Sequence, residues 1–165
     1  MIPLPSQNTL DGVPAHARVW VYKSADAFTP QQRDAIDAAG RRFVATWSSH
    51  NVPLDAWAGT LLDHFLVIAV DQEQAAASGC GIDKSVRFVQ DLERGMGLQL
   101  TDRMVVIYER DGVLHSTRVQ DVPRLLQGGE LTEHTTVFND LVATKGDLDR
   151  NFRVHLKDSW MARFL

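Results

Sequence analysis

The seven residues Phe65-Leu-Val-Ile-Ala-Val-Asp71 constrain this chain more than any other stretch. Near-continuous aliphatics over so short a length read as a β-strand that is buried on both faces or central in its sheet. Gln72 to Ala77 are polar or small and read as a loop. Ser78-Gly79-Cys80-Gly81-Ile82-Asp83 then opens a run in which Ile82, Val86, Val89 and Leu92 recur at helical spacing, with Phe88 beside the stripe and Gly95 and Gly97 closing it. Strand, loop and helix in that order bring backbone N–H groups, a thiol and carboxylates to one sheet edge, where sites are often built.

The flanking elements follow from local pattern. His16 to Lys23 alternates, with Val19 and Val21 on one face and Arg18, Trp20 and Tyr22 on the other, as a strand does. Thr29-Pro30-Gln31-Gln32 predicts a helix start, with Ile36, Phe43, Val44 and Trp47 facing the sheet and Pro53 beyond its end. Ala56 to Leu62 reads as a strand turning at Asp63-His64 into Phe65 to Val70. Arg103 to Glu109 is a third strand, and the Asp111-Gly112 turn returns it as a hairpin with Val113 to Val119. Asp121-Val122-Pro123 opens a short helix closing at Gly128-Gly129, Thr135 to Phe138 reads as one more strand, and Thr144-Lys145-Gly146-Asp147 resembles a capping box. Residues 1–15 hold three prolines without periodicity and read as an irregular lead-in; 158–165 reads as an aromatic tail, its Trp160 and Phe164 either docked or held out to a partner. No repeat or linker interrupts 1–165. The expected fold is one α+β domain: a mixed sheet joining the strands at 17–22, 65–70 and 103–109, with the helices at about 30–48 and 82–95 on one face.

Composition narrows function mostly by exclusion. The 165 residues are enough for a core without disulfides or metal. A net charge of −4, with no basic stripe, argues against a nucleic-acid partner. No apolar run approaches the roughly 18 residues of a membrane span. The N-terminus has neither the basic nor the apolar region of a signal peptide, and one cysteine precludes an internal disulfide, so a cytoplasmic setting is expected. There is no phosphate-binding Gly-x-x-x-x-Gly-Lys-Ser/Thr and no Gly-x-Gly-x-x-Gly after a strand. Cys80-Gly-Ile-Asp83 lacks the second thiol of a redox motif, and a phosphatase loop would need arginine where Val86 stands. Histidines at 16, 50, 64, 115, 134 and 155 show no i, i+4 pairing of the kind that builds helical zinc sites, so no metal and no cofactor is implied.

The candidate site is therefore Asp71 with Ser78, Gly79, Cys80, Gly81 and Asp83. A cysteine at a helix N-terminus has its thiolate favoured by the unpaired N–H groups. Gly79 and Gly81 would admit a ligand close to the backbone, Ser78 would hydrogen-bond it, and Asp83 would orient a base or cap the helix. The alternative is a packed cysteine in an ordinary turn, with Asp83 as N-cap. His50 reads as a base or as a dipole partner at a helix C-terminus. Arg18, Arg103 and Arg163 would either gather on an anion or pair with Asp71 and Asp102.

Ala17-Arg18-Val19-Trp20-Val21-Tyr22, Ala77 to Asp83, Val137-Phe138-Asn139 and Ser159-Trp160 through Leu165 resemble a family of small uncharacterised bacterial proteins, over almost the whole chain. Members often carry the label "ABC transporter ATPase", and the family brings no catalytic residues with it. The label is not supported by motifs: without a phosphate loop nothing cradles the β- and γ-phosphates. Leu66 to Asp71 resembles a Walker B strand and Ser78-Gly79 a transporter signature, but their order is reversed from that of a transporter ATPase. Two functions follow as expectations. One is a binding or regulatory domain for a small molecule or protein, its ligand site centred on Asp71 and Ser78 to Asp83. The other is a thiol-dependent transferase or hydrolase with Cys80 as nucleophile, which needs a histidine within hydrogen-bond reach.

Overall fold

The computed structural model of the protein describes residues 10–73 and 75–165. In chain order the elements are β1 (Arg18–Lys23), α1 (Pro30–Thr46), β2 (Ser48–Ser49), β3 (Val52–Pro53), β4 (Asp55–Leu61), β5 (Phe65–Asp71), α2 (Gly79–Met96), β6 (Val105–Arg110), β7 (Val113–Arg118), α3 (Val122–Gln127), β8 (Thr136–Phe138), α4 (Lys145–Asn151) and β9 (Arg153–His155). The fold is α+β, as expected. Residues 1–9 of the expected lead-in lie outside the described residues, and Leu10–Gly12 form a 3-10 turn.

The single mixed sheet is corrected. β1, β5 and β4 form one antiparallel sheet with β5 central, while β7, β6, β8 and β9 form a second; β2 and β3 make a two-residue ribbon. The cause lies in β5. Its two hydrogen-bonding edges are taken by β1, with Val19 opposite Ala69, and by β4, with Ala58 opposite Ile68, so β6 can reach it only face to face. Both readings of Phe65–Asp71 therefore hold at once, since the strand is central and buried on both faces.

Alternation along the strands sorts the side chains into layers. Leu66, Ile68 and Val70 pack under Ile36, Phe43, Val89 and Leu92 of α1 and α2, so both main helices do lie on one face. Phe65, Val67 and Ala69 point the other way, against Val105, Ile107, Phe138 and Phe152 of the second sheet and its neighbours. That sheet's far face, carrying Val106, Tyr108 and Val137, is covered by Val122 and Leu125 of α3 and by Leu156 and Met161. The C-terminal tail is docked: Met161 is buried, and Trp160 and Phe164 pack at the margin of the same cluster.

Local signals behave as their chemistry requires. Thr29 caps α1 with a complete capping box: its Oγ1 accepts from Gln32 N at 3.1 Å, and Gln32 Oε1 accepts from Thr29 N at 2.9 Å. Thr144 Oγ1 likewise accepts from Asp147 N at 3.1 Å. Gly97, at φ 65°, ends α2 in the left-handed conformation, whereas Gly95 lies inside the helix. The β4–β5 turn places Leu62 and Asp63 at φ 55° and 56° without a glycine, and buried His64 anchors it, its Nδ1 2.9 Å from the Ser24 carbonyl. The outer edge of β1 is covered rather than open: Val19 N donates to Ala143 O and Lys145 N to Ala17 O. Beside that edge the buried Lys23 ammonium pairs with Asp140 at 2.9 Å.

Candidate functional site

Helix α2 begins one turn earlier than its apolar stripe predicts, because Ser78 supplies the extended N-cap residue and Gly79, Cys80 and Gly81 enter the first turn. Cys80 is therefore in the first turn and exposed. Asp83 is neither the cap nor in that turn; it stands exposed in the second. The Ser78 carbonyl accepts from Ile82 N at 2.9 Å, but the Ser78 side chain does not bond the helix it caps. Its hydroxyl pairs with the Ser49 hydroxyl, and Ser49 Oγ also accepts from Ser78 N at 3.3 Å. The two glycines differ. A Cβ on Gly79 would meet nothing within 4 Å, while Gly81 is buried against Leu54, Ser49 and Trp47, and its carbonyl accepts from Trp47 Nε1 at 2.8 Å. The loop before α2 is thus stapled to the β2–β3 ribbon.

Asp71 lies on the other side of that loop. Its carboxylate accepts from Glu73 N at 3.0 Å and sits 2.9 Å from His16 Nε2. The register of β1 on β5, Arg18 opposite Val70, carries His16 to this spot across 55 residues of chain. The hydrogen bond from Glu73 N, then that with His16, holds the Asp71 carboxyl below its ordinary value. The same bond raises the His16 imidazole. His16, Asp71 and Glu73 offer donor atoms within 4.8 Å of one another, one imidazole and two carboxylates, as a divalent cation would require. Internal hydrogen bonds already account for the Asp71 oxygen that links them.

The structure does not join the halves of the expected site through hydrogen bonds. Among the described residues no histidine bonds Cys80: His16 faces Asp71, His64 faces Ser24, His115 stacks on Tyr108, His134 pairs with Glu133, His155 holds the His134 carbonyl, and His50 stands at φ 52° in the β2–β3 turn rather than at the end of α1. The expected arginines lie on rings rather than on Asp71 or Asp102: Arg18 lies over Trp20 and Arg163 over Trp160 and Phe164, while Asp102 pairs with Arg118.

A different concavity opens along the same helix. Between α1 and α2 runs a groove of about 700 Å³, with Phe43, Trp47, Phe88, Leu92 and Met96 among its apolar lining and Arg42, Lys84, Arg87 and Asp91 as its charges. Its floor is ordered by ring contacts. Phe43 and Phe88 stack with centroids 4.5 Å apart and planes 4° from parallel, and Trp47 lies 4.9 Å from Phe43. Phe43 and Phe88 sit too high on their helices to be sealed by the sheet, so each is only partly buried. Cys80, Lys84, Arg87 and Asp91, spaced four, three and four, form one stripe of α2, and the predicted cysteine heads it. That spacing was readable in the sequence. The facing half, from Ala39 to Trp47 of α1, was not, because it depends on how the two helices sit on the sheet. A second cavity, about 510 Å³, lies at the β1 edge between Trp20, Tyr22, Arg103 and Trp160, beside the Lys23–Asp140 pair. Burial raises the Tyr22 hydroxyl there, opposed by Arg103.

No helix of the described residues is long and apolar enough to cross a membrane. Compared with known protein families, with curated proteins and with solved structures, the chain matches none.

Proposed function

We propose that this chain is a binding domain for a small molecule, with the groove between α1 and α2 as its ligand site. The observation that carries the reading is that groove: concave, apolar, floored by two stacked rings, and of a volume usual for small-molecule sites, roughly 300–1,000 Å³. The site thus lies on the helix that the Ser78–Asp83 segment opens, further along it than the segment itself. Ser78 and Gly81 support the site, since they fix the start of α2 against Ser49 and Trp47. The thiol-enzyme reading has less to rest on, because Cys80 lacks a bonded histidine among the described residues and nucleophilic cysteine catalysis requires a base. A bacterial source, implied by the family resemblance, and a cytoplasmic setting, expected from the single cysteine, suit an exposed unpaired thiol.

Two-dimensional NMR of the ¹⁵N-labelled protein against a fragment library tests this. The expected result is a set of fragments whose amide shifts concentrate in 39–47 of α1 and 84–96 of α2. Shifts confined to the His16–Asp71 edge or to the β1 cavity, or no binders at all, would remove the groove as the ligand site.

A further inference from the structure

We propose that the groove selects an anion with a flat apolar body: a ring system carrying a carboxylate or a similar acidic group. The inference rests on the ligand-binding reading above and adds the charge of the ligand. Arg42 reaches the groove from α1, Lys84 and Arg87 from α2. Among the described residues none of the three is in an ion pair with a carboxylate. The acid of the groove is already committed, Asp91 to Arg94 one turn on. Lys84 Nζ donates to the Ser48 carbonyl at 3.0 Å and to the Ser48 hydroxyl at 3.3 Å, contacts that place the ammonium without neutralising it.

This concentration of positive charge departs from the balance of the chain as a whole, which carries 21 acidic against 17 basic residues. Cations grouped at an apolar concavity raise the local concentration of anions and repel cationic ligands. Arginine adds geometry: its planar fork meets a carboxylate with two hydrogen bonds and also stacks on a ring face. The floor supplies the complementary half, since the paired Phe43 and Phe88 rings and the neighbouring Trp47 offer π-surfaces to a flat body. A neutral ring would use the floor and leave the cations idle. A small hydrophilic anion would use the cations and leave the apolar floor in water.

Two fluorescent probes with nearly the same ring system separate charge from apolarity: the anion 8-anilinonaphthalene-1-sulfonate and neutral N-phenyl-1-naphthylamine. Each is titrated into the native protein, an Arg42→Gln/Arg87→Gln variant, and a Gly95→Trp variant. Gly95 lines the groove, and a Cβ there meets nothing within 4 Å, so the helix backbone admits a side chain at this point and tryptophan would occupy the site. The expected result is anion binding about tenfold tighter than neutral binding, reduced about tenfold by the double substitution, with the neutral probe unmoved. Gly95→Trp should abolish both. If both probes bind equally and the double substitution changes neither, the anion preference is wrong while the ligand-binding reading stands. If neither probe binds, or Gly95→Trp leaves binding intact, both fall. Thermal melts of the variants confirm that each is folded.

Discussion

His16 and Asp71 show how one contact couples two titrations. The hydrogen bond with Asp71 raises the imidazole from its ordinary 6.5, and the bonds from Glu73 N and with His16 lower the carboxyl from 3.8. A raised histidine contributes stability that is complete below 6.5 and fades as pH climbs through the folded value. A lowered aspartate contributes stability that is complete above 3.8 and fades as pH falls through its folded value. The pair is therefore worth most between the two ordinary values, 3.8 and 6.5, and fades outside them. Because both groups face solvent, the effect belongs in a titration curve more than in a melting temperature. NMR titration of the His16 ring should give a midpoint above 6.5 that returns toward 6.5 in Asp71→Asn. A midpoint at or below 6.5 in the native protein would mean that the contact does not form in solution.

Among the elements, α1 packs close against β4 at Gly40. Gly40 allows this: a Cβ there would come within 2.9 Å of the Ala58 carbonyl carbon and nearer still to its oxygen. Helix propensity alone favours alanine over glycine by about 1 kcal/mol. At Gly40 the clash is with strand backbone, which cannot swing aside, so Gly40→Ala should destabilise by about 1–3 kcal/mol. Gly95 of α2 has open space around it, and Gly95→Ala should stabilise by roughly 0.5–1 kcal/mol. Urea unfolding of the two variants reads the contrast directly. Changes of the same sign would show that α1 does not approach β4 this closely.

At the scale of the whole molecule, the joint between the two sheets carries the cooperativity. Phe65 is fully buried there, its ring 5.4 Å from Phe138 and 4.9 Å from Phe152. Truncation would open a cavity between layers that cannot close without sliding one sheet over the other. Phe65→Ala should therefore cost about 3–5 kcal/mol. It should also leave one transition by both far- and near-ultraviolet circular dichroism, because each sheet has its inner face against the other. Two separated transitions, or a loss under about 1 kcal/mol, would show that the sheets do not share a core.

What the sequence determined by itself is local. The capping chemistry of Thr29, the alternation of Arg18–Lys23, the turn at Asp111-Gly112 and the apolar stripe of α2 depend on neighbours a few residues away, and each produced the element its pattern predicts. The place of Cys80 in the first turn of α2 followed from the same kind of signal, whereas its exposure did not. Tertiary structure alone decided which edges pair. The apolar run of β6 suits either a place beside β5 or a place beneath it, and only the prior claim of β1 and β4 on β5's edges excludes the first. The same holds for the site. His16 meets Asp71 because two strands pair in one register, and Arg42 faces Lys84 and Arg87 because two helices lie side by side on one sheet. These contacts bridge 55 residues in one case and more than 40 in the other, and hydropathy along a chain carries no information about which distant surfaces will be brought together.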